Sequence, residues 1–444
     1  MSAHRSFGLL LAFSFASSVV PSLAIGQAST TAPVVTLTEA RRRAATIDPE
    51  AVAARSRVET ASWERRAARA NMFTPNLTGG LSYIRFSEPF FNFGTGSISP
   101  NATAATLEAR YTVLGAGKFG TLKSSSASLE SAEAGETAAR FQTALVTDAA
   151  YFAVLADREL SRVAADRLKR AEEQFGIARV RVLAGEAIAS DSLQLMLEVI
   201  RARAAVLKRD SALVTSRLRL GNQIGLSGPV EASPVDSALP PLLPFTEEEA
   251  ARELSARGPD VEAARADERR ADALLLVERE QYIPELSLGF TTGAYDQQLF
   301  PSALKRSQLA VTISVPFWDG GQRELAVARA QGERNVARAV RLDRERSSAE
   351  RMSSAYHGYL TARANIELAA AGVTVSTEAY RVQRARYREG ATTILDLLEA
   401  QVALSEAEAA LVQSRFGTRL ALAQIEALLG RRVFASSTTE GTER

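Results

Sequence analysis

The chain of 444 residues contains no cysteine and only two histidines, His4 and His357. The lack of cysteine excludes disulfide bridges, thiolate metal sites and a lipid-bearing cysteine. A single histidine outside the N-terminal region cannot build a metal site alone, so no metal or other cofactor is expected. The net charge is +2 and there is no polybasic block, so nucleic acid is not an expected partner.

Long apolar runs are also missing. After the N-terminal region no run reaches the roughly 18 residues of a membrane-crossing helix. The N-terminus itself carries Arg5, an apolar run over residues 9–15, and the small residues Ala24 and Gly26. This pattern predicts a secretory signal peptide over residues 1–26, with cleavage near Gln27. We therefore expect an exported protein.

Proline is absent from residues 101–228 and from all residues after Pro316. Both windows are rich in Ala, Leu, Glu, Arg and Gln, which are strong helix formers. Gly185 and Gly390 interrupt them at equivalent places and predict two long antiparallel helices per window. A helix over residues 323–387 would be about 100 Å long at 1.5 Å per residue.

The chain contains two copies of one unit of about 200 residues. Asp48-Pro49 matches Gly258-Pro259 after 210 residues, and the later match of Ala150-Tyr151 with Ala355-Tyr356 has an offset of 205. A duplication of this kind predicts two similar structural units. The predicted divisions are a first repeat over 27–228, a proline-rich linker over 229–245, a second repeat over 246–432, and a disordered tail over 433–444.

Alternating apolar and polar residues predict two strands in each repeat, forming β-hairpins at about 77–114 and 285–317. Four strands are too few to close a barrel, which needs about eight. Either the hairpins form soluble sheets with exposed edges, or several chains pool their strands. Aromatic residues at strand ends and in the hairpin loops favour the second alternative, although a hydrophobic core would also use them: Tyr83, Phe86, Phe90, Phe91, Tyr295, Phe300, Phe317 and Trp318.

Heptad spacing runs through the second helix of each pair. The first repeat has Val199, Val206, Leu213 and Leu220, and the second has Leu404, Leu411 and Ile425, with Thr418 interrupting the row. Such rows are typical of coiled-coil packing. An ordinary helical bundle gives the same spacing, so the heptads alone do not decide between the two.

Several motifs, taken in order, resemble the TolC family of outer-membrane efflux and secretion proteins. They are Leu37-Thr38-Glu39-Ala40, Asp48-Pro49, Pro284-Glu285-Leu286-Ser287, the stretch 315–321 (VPFWDGG), the stretch 387–390 (YREG) and the stretch 394–401 (ILDLLEAQ). The resemblance covers nearly all of residues 35–432. It implies a mainly α protein with a β-hairpin part, in which a homotrimer forms a 12-stranded outer-membrane β-barrel continuous with a 12-helix periplasmic α-barrel. The first repeat departs from the family pattern, because residues 112–117 lack an equivalent of Pro316.

The resemblance also implies where function lies. The turns at Ala184-Gly185-Glu186 and Glu389-Gly390-Ala391 would contact a periplasmic adaptor protein, although glycine can equally be a simple turn former there. A constriction at the same end would be tied by Tyr387 and its carboxylate partner Asp191. Thr392 replaces an arginine common in the family's network, so this tie should be weaker. Asp396 and Glu399 would ring the lumen and favour cations, whereas on spacing alone they belong to a solvated helix face.

We thus expect a passive exit duct for drugs or other small molecules in a tripartite efflux pump. Its expected partners are a periplasmic adaptor, an inner-membrane transporter and outer-membrane lipid. The alternatives are the exit duct of a type I secretion system and, in a different class, a periplasmic coiled-coil scaffold without a pore. No catalytic constellation is present, so an enzyme is not expected. The transported substrate is left open, with soft metals disfavoured by the scarcity of His, Cys and Met.

Overall fold

A computed structural model of the chain describes residues 32–92, 96–115, 117–185, 188–235, 240–296 and 304–434. The predicted signal peptide, Glu186 of the first turn, Phe300, and residues 435–444 of the predicted tail lie outside these ranges. No helix within them is both long and apolar enough to cross a membrane.

The two repeats have the same order of elements. The first contains β1 (Val34–Val35), α1 (Leu37–Ile47), α2 (Pro49–Phe73), β2 (Asn76–Asn92), β3 (Ser97–Leu114), α3 (Lys118–Leu183) and α4 (Ala189–Gln223). After β4 (Glu231–Ala232), the second contains α5 (Glu247–Arg257), α6 (Pro259–Glu280), β5 (Glu285–Asp296), β6 (Leu304–Ser314), α7 (Gln322–Arg388) and α8 (Ile394–Leu429).

Local capping explains where the short helices begin. The Thr36 hydroxyl accepts a hydrogen bond from the Glu39 amide at the start of α1, and Thr246 forms a capping box with Glu249 at the start of α5. These side chains satisfy amides that have no partner inside the helix. The helices that follow, α2 and α6, each begin with proline, which lacks the amide that this position would leave unpaired.

The long helices form one wall, whose order changes along its length. Near the two turns that join α3 to α4 and α7 to α8, the order is α4, α3, α8, α7. At the end near the strands it is α2, α3, α6, α7. We call the turns around Gly185 and Gly390 the tip turns. The wall therefore has two open edges, formed by α7 on one side and by α4 and then α2 on the other.

The four long strands form one antiparallel sheet in the order β2, β3, β5, β6, so β2 and β6 are its edges. The register pairs Leu81 with Ala105 and Phe290 with Leu309, and a bulge interrupts β2 between Arg85 and Phe90. The last strand ends at Ser314, before the predicted limit of 317. Pro316 explains the shorter hairpin, because it has no amide to donate to a neighbouring strand.

Both sheet-to-helix junctions use a left-handed glycine, including the one that lacks a proline. Gly117 precedes α3 with a φ of 69°, and Gly321 precedes α7 with a φ of 82°. Glycine adopts this conformation without the clash that a Cβ atom causes. The departure of the first repeat from the family motif therefore leaves the junction intact.

The described parts of the predicted linker are packed against the repeats. Glu231 and Ala232 of β4 pair in parallel with Val34 and Val35 of β1. Further along, the Pro241 carbonyl accepts a hydrogen bond of 2.6 Å from the Tyr359 hydroxyl. The segment thus ties the two repeats together rather than connecting them loosely.

The heptad rows of α4 and α8 face the protein interior, with Val206, Leu213 and Leu411 half-buried. Val199 and Leu220 are buried on α4, and Leu404 and Ile425 are buried on α8. Thr418, which interrupts the second row, is also buried, and its hydroxyl donates a 2.8 Å hydrogen bond to the Ser414 carbonyl. This bond avoids the cost of an unpaired buried hydroxyl.

Candidate functional site

The two tip turns share one backbone geometry. The Gly185 amide donates to the Val182 carbonyl at 3.1 Å, and the Gly390 amide donates to the Tyr387 carbonyl at 3.1 Å. Both glycines have positive φ, 78° and 71°. A left-handed glycine just after a helix end is the usual way to close its last turn. Turn formation is therefore a sufficient reason for both glycines.

Capping differs between the turns. At the second turn, the Thr393 hydroxyl accepts from the Asp396 amide, and the Asp396 carboxylate accepts from the Thr393 amide at 3.1 Å. The Thr392 hydroxyl donates to the same carboxylate at 2.9 Å. Hydrogen bonds from the Thr393 and Thr392 hydroxyls hold the pKa of Asp396 below its usual range. At the first turn the equivalent capping residue is Ile188, whose side chain cannot make these bonds.

Tyr387 is buried between the two helical hairpins. Its ring belongs to a cluster with Ala178 of α3, Leu195 of α4 and Leu397 of α8. Within the described ranges its hydroxyl has no hydrogen-bond partner. Burial raises the pKa of Tyr387, and the nearby negative charge of Asp191 raises it further. The pair that the resemblance predicts is thus brought close, but the Tyr387 hydroxyl and the Asp191 carboxylate are not hydrogen-bonded to each other.

Arg181 links the hairpins at this level. Its guanidinium donates a 2.7 Å hydrogen bond to the Tyr387 carbonyl and lies 5.5 Å from the centroid of the Tyr387 ring. The sequence analysis missed this residue. One signal could have revealed it, because Arg181 and Arg386 are equivalent in the two repeats at the offset of 205. Arg386 bonds instead within its own turn, to the Ala391 carbonyl at 3.2 Å.

The remaining predicted residues lie at the same end of the wall. Asp191 is half-buried in the first turn of α4, whereas Asp396 and Glu399 are exposed on α8. Ala184 follows the end of α3, and Glu389 follows the end of α7. Apart from Glu186, which lies outside the described ranges, the predicted gate and tip residues are therefore found in one region.

The first tip turn is much more apolar than the second. Val180, Leu183 and Ile188 are exposed there, with Leu183 at 79% of its full accessibility. The equivalent residues of the second repeat are Ala385, Arg388 and Thr393. Exposed apolar residues that lie together mark sites of contact with other proteins.

Comparison with known proteins is decisive at this point. The family model described as outer membrane efflux protein matches residues 40–226 and 250–431, which is most of the chain and both repeats. The chain belongs to the outer membrane efflux protein family. It is an outer-membrane channel subunit for efflux that extends into the periplasm, and the predicted family, function and location are confirmed.

Individual relatives agree with this assignment. The outer membrane protein OprJ of Pseudomonas aeruginosa is 27% identical over 323 residues, covering 70% of this chain and 67% of the relative. The CmeC outer membrane channel of Campylobacter jejuni has a TM-score of 0.77 at 17% identity, with 89% of this chain and 85% of that chain covered. The open-state MtrE outer membrane channel of Neisseria gonorrhoeae has a TM-score of 0.74 at 19% identity, with 91% of both chains covered. These structures confirm the predicted fold class.

Proposed function

We propose that three copies of this efflux protein join edge to edge into one closed duct, whose tip contacts a periplasmic adaptor served by an inner-membrane transporter. The observation that carries the proposal is a pair of exposed apolar rows on α4 and α7, the two edge helices near the tip. Each row is unpartnered within the described chain and lies on the side that a neighbouring copy would meet.

The α4 row repeats every seven residues and lies next to the buried heptad row of the same helix. Each of its members is more than half exposed. They are Leu193, Ile200, Leu207 and Val214. Exposed apolar residues at heptad spacing on a long helix are typical of a coiled-coil seam.

The α7 row has the same spacing on the opposite edge. Leu368 and Val375 are 70% and 69% exposed, and Val382, closer to the tip, is 39% exposed. One wall thus carries two apolar stripes that cannot reach each other within the same chain.

The residues of the two rows lie at matching distances along the helix from their tip turns. The first three members of the α4 row lie 8, 15 and 22 residues after Gly185, and the three members of the α7 row lie 8, 15 and 22 residues before Gly390. Because the tip turns are equivalent in the two repeats, the rows of adjacent copies would meet in register as antiparallel helices. Burying several such side chains would stabilise the seam by roughly 1.5–3 kcal/mol each.

The contact of α8 with α3 inside the chain is the repeat equivalent of the proposed contact of α4 with α7 of the next copy. In the repeat alignment, Ile200 and Leu207 of α4 correspond to Ser405 and Val412 of α8, which are buried. Arg170 of α3, the equivalent of Val375 at the offset of 205, contacts Ser405 at 3.4 Å and Glu408 at 2.8 Å. A seam of α4 on the next copy's α7 would repeat the internal contact of α8 on α3.

Disulfide cross-linking tests the assembly directly, because the chain has no cysteine of its own. In Ile200→Cys/Val375→Cys, mild oxidation of intact cells is expected to give a covalent trimer on non-reducing gels. A matched control is Ile200→Cys/Thr377→Cys, whose second cysteine lies near the same level but on another exposed face of α7. Cross-linking no stronger than in the control would refute the seam.

The pore itself requires a second measurement. Discrete, long-lived conductance steps of the purified protein in a planar bilayer are expected for a duct, whereas a periplasmic scaffold would stay silent. Loss of drug resistance on deletion, without loss of a secreted protein, would favour efflux over type I secretion. The apolar first tip turn supports adaptor contact, because its exposed side chains suit a partner with apolar residues.

A further inference from the structure

The edge helix α2 carries a large aromatic side chain on its outer face. Ala54 and Ala61 of α2 are buried against the wall, and Trp63 is 60% exposed. At 100° per residue, Trp63 projects about 180° away from Ala54. Trp63 thus points away from α3, toward the place where a neighbouring copy would lie.

The facing edge is the part of α7 near the strands, whose side away from α6 carries both large and small apolar residues. Arg334 and Arg341 pair with Asp272 and Glu268 of α6 and so define the inward side. The outward side consists of Leu325, Ala328, Gly332, Val336 and Ala339. A Cβ atom built on Gly332 would have no atom within 4 Å. A side chain of a neighbouring copy can therefore approach the Gly332 backbone, and we call this open space over Gly332, between Leu325 and Val336, the notch.

The contact between α6 and α3 within the chain predicts the register of the proposed contact between α2 of one copy and α7 of the next. The Ser131 hydroxyl donates to Asp267 at 2.6 Å, and the Gly120 amide donates to Glu280 at 2.6 Å. Interpolation between these anchors places Ala273 of α6 level with about residue 126 of α3, next to Ala127, which lies on the same face of α3 as Gly120. At the repeat offset of 210, Trp63 is the equivalent of Ala273, and at the offset of 205, Gly332 is the equivalent of Ala127. At this level α6 and α3 both carry alanine, whereas the equivalent positions of α2 and α7 carry tryptophan and glycine.

A second position shows the same exchange of sizes. Inside the chain, Gly120 of α3 faces Val277 of α6 so closely that an added Cβ would lie 2.8 Å from the Val277 Cα. The repeat equivalents are Leu325 on α7 and Ala67 on α2. Inside the chain the smaller residue of the pair is on α3, whereas in the equivalent pair the smaller residue is on α2, the equivalent of α6. Two independent compensations of volume indicate that these surfaces pack on each other.

We propose that, in the closed duct, Trp63 of one copy packs into the notch over Gly332 of the next copy, with Leu325 of that copy on Ala67. The partner is a second copy of this chain, and the inference rests on the edge-to-edge assembly proposed above. This contact seals the wall near the strands, as the α4 and α7 rows seal it near the tip.

Cross-linking of Trp63→Cys/Gly332→Cys in intact cells is expected to give a covalent trimer. The matched control, Trp63→Cys/Ala337→Cys, places the second cysteine on the side of α7 that faces α6 and should not cross-link. If Ile200→Cys/Val375→Cys gives the trimer and Trp63→Cys/Gly332→Cys does not, the notch contact is wrong and the assembly stands. If neither pair reacts, the assembly itself is wrong.

A size-exchange series gives a second readout. Trp63→Ala should lower the fraction of detergent-resistant trimer by on the order of tenfold at limiting concentration, because a central aromatic anchor is lost. Gly332→Trp alone should lower it by steric clash. The double variant Trp63→Ala/Gly332→Trp should recover most of the trimer. A double variant no better than its single parents would overturn the contact, provided that helical circular dichroism shows all the chains folded.

Discussion

At the residue scale, the second tip turn depends on Thr393. Its hydroxyl and the Asp396 carboxylate satisfy two amides that the start of α8 would otherwise leave unpaired. Thr393→Ala should weaken the turn by about 1 kcal/mol. Hydrogen exchange of the Asp396 amide would then be roughly fivefold faster.

The first tip turn offers the reciprocal variant. Ile188 occupies the capping position of α4 without a side-chain bond. Within the described part of the chain, the Asp191 amide donates only to the Ile188 carbonyl, at 3.1 Å. Ile188→Thr should therefore add a side-chain acceptor and slow exchange of the Asp191 amide, while Thr393→Ala leaves that amide unaffected. Equal changes at both turns would mean that the turns are coupled rather than capped one by one.

A second prediction at this scale concerns the constriction. We infer that Arg181 ties the hairpins through the Tyr387 carbonyl and ring, because the Tyr387 hydroxyl has no partner within the described chain. Arg181→Ala should raise single-channel conductance, since the tie is removed. Tyr387→Phe keeps both the carbonyl and the ring and should leave conductance near its original value. A rise in Tyr387→Phe as large as in Arg181→Ala would assign the tie to the hydroxyl.

At the scale of elements, the approach of α6 to α3 depends on Gly120. Gly120→Ala would place its Cβ against the backbone of Val277 and force the helices apart, at a cost of about 1–3 kcal/mol. Gly135, on the same helix, has nothing within 4 Å of an added Cβ. Gly135→Ala should therefore stabilise the protein by up to about 1 kcal/mol. Thermal unfolding followed by circular dichroism would separate the two substitutions, and equal effects would contradict the close approach.

Elements were predictable wherever a local signal marks them. Proline at Pro49 and Pro259, the glycines of the tip turns and strand alternation all act within a few residues, and helices and strands lie where these signals indicated. The pairing of β4 with β1 has no such signal, because it joins residues about 200 positions apart. Arg181 was missed for the same reason: its partner Tyr387 lies on another hairpin.

At the scale of the whole molecule, the lumen charge is open to test. By family resemblance, Asp396 and Glu399 would form acidic rings in the trimer. Asp396 also caps α8, so Glu399 is the cleaner probe. Glu399→Gln should reduce the preference for cations over anions, measured as a shift in reversal potential across a salt gradient. An unchanged reversal potential would place Glu399 outside the conduction path.

The assembly of several copies was harder to predict from the sequence than the helices, strands and individual residues. The strand count left two alternatives and the aromatic residues favoured pooling of strands by several chains, but neither showed which surfaces meet. The α4 and α7 rows became recognisable only when burial separated Ile200 from its neighbour Val199. A shift of one position distinguishes a residue packed inside the chain from one that a neighbouring chain must cover.

The near-equal lengths of the repeated helices restrict how such a protein can evolve. The descending helices α3 and α7 have 66 and 67 residues, and the returning helices α4 and α8 have 35 and 36. An insertion in one helix alone would displace its tip turn from the other tip turn. It would also shift the apolar residues between the insertion and the tip turn relative to those of the neighbouring helices. A longer duct would need matched insertions in all four helices, in steps of about seven residues that preserve the seam. We therefore expect the reach of the duct to change in discrete steps.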